Sequence, residues 1–230
     1  MSQAHDRATH HYNLGVQYER ENRPEQAAAE YRRALKHDPQ FPYPWKALGE
    51  LLYRDGNLEP ARDALKKALT LDPEWVEVMA LLARILHDLG ETERALPLME
   101  RALRMEPDNT AFNTDYGRML VAAERYDEAM AALNRALEHE PDNLSARRNM
   151  AVACGKRAMA HLDQSIDHWR EALRLSQEDP ALFRNLGIAL FHRGLLDQAA
   201  AAFRDALRRN PDDPVAARFL KFSESVNRSG

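Results

Sequence analysis

The chain of 230 residues is most informative first in what it lacks. It has one cysteine, Cys154, so no internal disulfide can form. A lone small thiol within a helical apolar pattern is expected to be packed in the core. Its longest apolar run, 78–83, falls far short of the roughly 18 residues of a membrane span. The stretch 1–11 is polar and shows no charged-then-apolar leader, so a cytoplasmic protein is expected. Neither charge sign dominates: 32 basic and 36 acidic residues leave a net charge of −4, which argues against bulk attraction to nucleic acid or an anionic membrane. Also missing are a Gly-rich phosphate loop, paired cysteines, a nucleophile elbow and a His-Glu-x-x-His pair. No enzyme activity and no cofactor are therefore expected. His161, Asp163, Asp167 and His168 could be drawn as a metal site, but solvated polar residues beside a turn explain them more simply.

What the chain has instead is a beat. Pro39, Pro73, Pro107 and Pro141 recur every 34 residues. Ala27, Ala61, Ala95 and Ala129 keep the same interval, as do Ala34, Ala68, Ala102 and Ala136. Self-similarity at this period means a stack of one repeated helical unit, each unit contacting mainly its neighbours.

The second unit shows the pattern. Pro44 stands near the start of a first helix, where a missing N–H matters little. Trp45, Leu48, Leu51 and Leu52 follow at helical spacing, and Gly56-Asn57 ends the run with a residue suited to a left-handed cap. A second helix carries Ala61, Leu65, Ala68 and Leu69. Asp72-Pro73 stops it, because the residue before proline is pushed out of the α region. Gly15, Gly49, Gly117 and Gly187 stand inside helices, at about 1 kcal/mol each relative to alanine, which points to close helix crossings. Tyr31, Trp45, Leu65, Phe183 and Phe203 are expected to fill the space beside them.

These residues resemble the tetratricopeptide repeat. The second unit supplies Trp45, Leu48, Gly49, Ala61, Ala68 and Pro73, and the first supplies Leu14, Gly15, Tyr18, Ala27, Tyr31, Ala34 and Pro39. The sixth supplies Phe183, Leu186, Gly187, Ala199, Phe203, Ala206 and Pro211. The resemblance implies an all-α fold, an α-solenoid (right-handed superhelix) of six helix-turn-helix units plus a C-terminal capping helix. The repeats fall at about 8–41, 42–75, 76–109, 110–143, 144–179 and 180–213, with the cap over 214–226, all one solenoid. The fifth unit is irregular: two extra residues around His161 to Gln164 are expected to lengthen its inter-helix turn, and Gln177 stands in the place of the proline. His11 holds the signature tryptophan's place and is expected to pack. Asp212-Asp213-Pro214 reads as an N-cap before the last helix, and Arg228, Ser229 and Gly230 are expected to fray.

In this family the first helix of each unit lines a concave groove. By register that wall offers Tyr12, Asn13, Tyr43, Lys46, Tyr53, Arg84, His87, Arg118, Arg148, Asn149, Arg184 and Asn185. One cation in each of units two to six forms a basic track, and arginine can grip carboxylates through paired N–H bonds. The expected function is a non-catalytic scaffold or adaptor binding another protein through an acidic or extended segment. The simpler alternative is that these charges are solvated or paired with Glu50, Glu77 and Asp115. A chaperone-tail clamp does not fit, since its places are held by Tyr12, Val16, Ala47, Glu77 and Leu81. Self-association through Met79, Leu98, Met99 or Phe219 is a second reading. RNA binding is a third and weaker one, because the wall position Tyr12, Lys46, Ala80, Thr114, Arg148, Arg184 forms no code. If the small residues mark helix crossings, Ala61→Leu overpacks one and lowers stability by about 1–3 kcal/mol in denaturant titration, whereas an unchanged midpoint would contradict that packing.

Overall fold

The computed structural model describes residues 3–175 and 178–227. Among these there are twelve helices and no strand: α1 (Gln3–Arg20), α2 (Pro24–His37), α3 (Pro42–Arg54), α4 (Leu58–Leu71), α5 (Val76–Asp88), α6 (Thr92–Met105), α7 (Thr110–Ala122), α8 (Tyr126–His139), α9 (Leu144–Leu175), α10 (Pro180–His192), α11 (Leu196–Arg209) and α12 (Pro214–Asn227). Gln177 and the three terminal residues expected to fray lie outside the described residues. The helices form two compact units, Met1–Ala153 and Cys154–Gly230, with the boundary falling inside α9.

In the first unit α1 packs on α2, α3 on α4, α5 on α6 and α7 on α8. Three of these four pairs close on a mid-helix glycine. A β-carbon on Gly15 would sit 2.4 Å from the Tyr31 ring, one on Gly49 2.6 Å from Leu65, and one on Gly117 2.5 Å from Leu133. Tyr31, Leu65 and Leu133 are fully buried. In the third pair Ala83 and Met99, equally buried, hold the corresponding places. The second unit repeats the device with Gly187 and Phe203 in α10 and α11, and α12 then packs against both of these helices.

The turns are equally regular. The first helix of each pair ends in a six-residue cap: Arg23, Asn57, Glu91, Arg125 and Leu195 donate their N–H groups to the carbonyls of Tyr18, Leu52, Leu86, Leu120 and Leu190 at 2.8–2.9 Å. The residue just before each donor has positive φ: Asn22, Gly56, Gly90, Glu124 and Gly194. Each second helix ends where the N–H of Asp38, Asp72, Glu106, Glu140 or Asn210 reaches the carbonyl of a repeating alanine, Ala34, Ala68, Ala102, Ala136 or Ala206. Three of the prolines that follow these residues also gain a partner. Pro39, Pro107 and Pro141 carbonyls accept from Trp45 Nε1 at 3.0 Å, Asn113 Nδ2 at 2.7 Å and Arg147 Nε at 2.7 Å, three unlike donors at one register position.

The fifth repeat departs from expectation. No turn forms at His161 to Gln164; those residues lie inside α9, 32 residues long and, at 1.5 Å per residue, about 48 Å. The reason is local. Ala158 stands 34 residues after Glu124, where the other units place their positive-φ residue. Alanine is disfavoured there and is the strongest helix former, and no glycine or proline occurs from 156 to 175 to break the run. Cys154 is also exposed rather than packed, because the neighbouring Ala153 takes the buried position. Ala146 and Ala153 join the first unit's core, while Ile166 and Trp169 join the second's.

Glu124 pays a backbone penalty that glycine avoids, since a left-handed L-residue is less stable by roughly 1–2 kcal/mol. Glu124→Gly is expected to raise the unfolding free energy by about 1 kcal/mol in a urea titration, and Asn22→Gly by less, because asparagine tolerates this conformation. A destabilised Glu124→Gly protein would contradict the assignment.

Candidate functional site

The twelve wall residues fall in the two compact units: Tyr12 to Asn149 in the first, Arg184 and Asn185 in the second. At the N-terminal end α1, α3 and the start of α5 assemble aromatic rings. Tyr12 packs 5.5 Å from Phe41, 5.8 Å from Tyr31 and 6.2 Å from Tyr43. Tyr43 is 51% exposed and meets Trp75 edge-on at 5.1 Å. Lys46 lies 5.7 Å over the Trp75 ring and bonds Glu50 at 3.0 Å, one turn along α3. Burial pushes the Tyr12 phenol above its ordinary pKa, against the pull of Lys46, so it stays protonated. Asn13 is exposed beside this cluster. His11 does more than pack: its Nδ1 lies 2.7 Å from the buried carboxylate of Glu30, and its ring stacks on His37.

Along the wall the charges are cross-linked. Arg54 of α3 pairs with Glu19 of α1, which also accepts from the Tyr31 hydroxyl. The Tyr53 hydroxyl donates to Asp88 of α5 at 2.8 Å. Arg84 of α5 donates through Nε and Nη2 to Asp115 of α7 at 3.0 and 2.6 Å. Arg118 of α7 reaches back to Asp88 at 3.3 Å and lies 3.6 Å from Asp115. These rungs span 30–35 residues and tie consecutive first helices together. Lys46 and Arg84 thus pair with Glu50 and Asp115, two of the partners the sequence offered, while Arg118 pairs with Asp88, which it did not, and among the described residues Glu77 takes no part. His87 shares a 3.0 Å hydrogen bond with Thr92, and burial together with the charge of Arg118 lowers its pKa, favouring the neutral ring. Arg148 on α9 is exposed with no ion-pair partner among the described residues, and Asn149 is half-buried. Asp88 and Trp75 are the wall's contributors missing from the sequence-derived set.

In the second unit Arg184 of α10 donates to Asp213 Oδ2 at 2.9 Å. Asp213 is 3% exposed and caps α12, its Oδ1 accepting from the N–H groups of Val215 and Ala216 at 3.0 Å each. Asn185 is half-buried beside Arg184. Asp163 is held by Arg193 at 2.7 Å, and among the described residues no three metal-ligating side chains converge. Met79 and Met99 are fully buried, which takes them away from any self-association surface, while Phe219 is half-buried against Phe191 and Phe203.

Burial alone would raise the Asp213 pKa, but the Ala216 and Val215 N–H groups and Arg184 outweigh it and hold the carboxyl below its ordinary value. A depressed folded pKa contributes stability above the unfolded value, and that contribution is lost as pH falls through the folded one. Asp213→Asn is therefore expected to lose about 1–3 kcal/mol at pH 7, with the difference from the parent closing below about pH 4. Urea titrations at pH 7 and pH 3 check this; a constant difference would contradict it.

One tetratricopeptide repeat model matches residues 19–85 and 86–153, and a second matches 153–214. No curated protein matches the chain. Among solved structures, a tetratricopeptide repeat protein from Parabacteroides merdae ATCC 43184 aligns with a TM-score of 0.61 at 16% identity, over 95% of this chain and 99% of its own. MamA 41-end from Desulfovibrio magneticus RS-1 aligns at 0.57 and 17%, over 91% and 98%. YrrB, described as a TPR protein with an unusual peptide-binding site, aligns at 0.54 and 19%, over 92% and 90%. These likenesses concern the fold. With family models matching from residue 19 to residue 214, the chain belongs to the tetratricopeptide repeat family.

Proposed function

We propose that the chain is a non-catalytic scaffold that binds an extended segment of a partner protein along the face of its first helices. The observation that carries this reading is the half-exposed Tyr43, packed between Tyr12, Phe41 and Trp75, with Lys46 over the Trp75 ring and Asn13 exposed on the same helix as Tyr12. A fixed aromatic ring offers contact area at little entropic cost, and flanking polar groups can hold a peptide backbone. YrrB's described peptide-binding site supports the same reading by family likeness. An acidic residue in the segment would exchange with Asp115 or Asp88 for Arg84 or Arg118 rather than meet unpaired cations. Self-association is the weaker reading; its exposed apolar residues on α12 are Val215 and Phe222.

The ion pairs also decide how to test the proposal. Arg84→Glu would set a carboxylate against Asp115 and disturb α5 and α7, so it cannot separate binding from folding. Tyr43→Ser touches an exposed ring instead. With a photoreactive phenylalanine at position 43, partner peptides from the native lysate are expected to cross-link there and not at position 67 on α4. Tyr43→Ser is expected to weaken binding of the recovered peptide about tenfold, with helicity unchanged. Equal cross-linking at both positions, or unaltered affinity of the variant, would refute the assignment.

A further inference from the structure

The fifth repeat carries both halves of a helix crossing on one helix, where they cannot meet. By register Ala151 and Cys154 take the places that Gly117 and Leu120 hold one repeat earlier. With the two extra residues counted, Ser165, Trp169 and Ala172 take those of Ala129, Leu133 and Ala136. In the fourth repeat all five of these places are buried, and the Gly117 and Leu133 positions touch. In α9 Ala151 and Cys154 are exposed, and Ser165, Trp169 and Ala172 are only half-buried. Ala151 and Trp169 stand 18 residues apart on a continuous helix, about 27 Å along its axis.

The two open segments share one side of α9. Eighteen residues make five full turns, so Ala151 and Trp169 point the same way. Cys154, Ala158, Ser165 and Ala172 fall within about 60° of that direction. The result is a single face with small residues in its N-terminal half and a large ring in its C-terminal half. Such a face is complementary to itself when turned end to end. The point midway between Ala151 and Trp169 is Ala160, which is also the middle of α9. A two-fold axis there makes both contacts at once. Closing the crossing within one chain needs a turn near Ala158, where no positive-φ residue forms and no glycine or proline follows as far as 175. A second copy needs no turn.

We propose that a second copy of this chain completes the fifth repeat. Two α9 helices lie antiparallel about a two-fold axis near Ala160, each giving the small half of one crossing and the large half of the other. The contacts are those a regular repeat makes internally, exchanged between chains, which is a low-cost route to a closed dimer. The pairing uses neither Tyr43 nor the α12 residues Val215 and Phe222, and it does not depend on peptide binding.

Light scattering of the full chain over about a hundredfold range of concentration tests the pairing, and the mass is expected to reach that of two chains. Ala151→Glu, at a position exposed in a single copy, puts a carboxylate into the crossing and is expected to weaken the dimer at least about tenfold with helicity unchanged. Cys154 reports on the face itself. Its thiol is expected to react with a disulfide reagent about tenfold more slowly in the parent dimer than in the Ala151→Glu protein at the same concentration. Val215→Ser with Phe222→Ser is expected to leave the dimer intact. A single-chain mass throughout would overturn the proposal, and a protected Cys154 in that monomer would mean that α9 folds back on itself instead. A two-chain mass undiminished in Ala151→Glu, or equal thiol rates in the two proteins, would place the contact on another surface and overturn it as well.

Discussion

Four of the five helix pairs among the described residues depend on one steric bargain: a missing β-carbon on the first helix and a large side chain on the second. Gly15 with Tyr31, Gly49 with Leu65, Gly117 with Leu133 and Gly187 with Phe203 each stand 16 residues apart. The approach is close enough that a β-carbon would lie 2.4–2.6 Å from its neighbour, where real contacts are not found. Glycine in a helix is unfavourable by about 1 kcal/mol, so its presence makes sense only where burying the partner returns more. Ala83 with Met99 shows a compromise, a small residue against a flexible one.

On top of that crossing sits a polar lattice. Caps at both helix ends fix where each helix stops, and the Pro39, Pro107 and Pro141 carbonyls are satisfied by an indole, an amide and a guanidinium. Where this position carries a donor it serves the proline carbonyl, and where it carries Met79 the side chain is simply buried, so the signature tryptophan can be replaced. The ion pairs between first helices act at a larger scale. They hold neighbouring repeats in register and leave Tyr43, Asn13 and Arg148, rather than a string of bare arginines, as the wall's available chemistry.

Much of the helical layout was legible because its signals are local. A proline, a glycine and two alanines at fixed intervals specify a helix pair whatever lies around them, and Asp213 before Pro214 announced its cap. The fifth repeat is not legible by register alone: two extra residues fit a turn there, although the stretch from 156 to 175 contains no glycine or proline to end a helix. The partners of Arg84 and Arg118 were only half legible. Asp115 was named as a candidate, while Asp88 was not, because side chains reach across repeats at 30 or 31 residues rather than at the repeat length. Opposite charges at that offset on consecutive first helices mark both.

The continuous α9 bears on how the molecule comes apart. Its N-terminal alanines belong to one core and its C-terminal isoleucine and tryptophan to another, while 154–156 and 158–159 between them are exposed. In a single copy that stretch is held by backbone hydrogen bonds and alanine propensity with little tertiary support, conditions under which a helix opens at low free energy. Melting should then proceed as two loosely coupled transitions rather than one, and a single unfolding free energy would describe neither core.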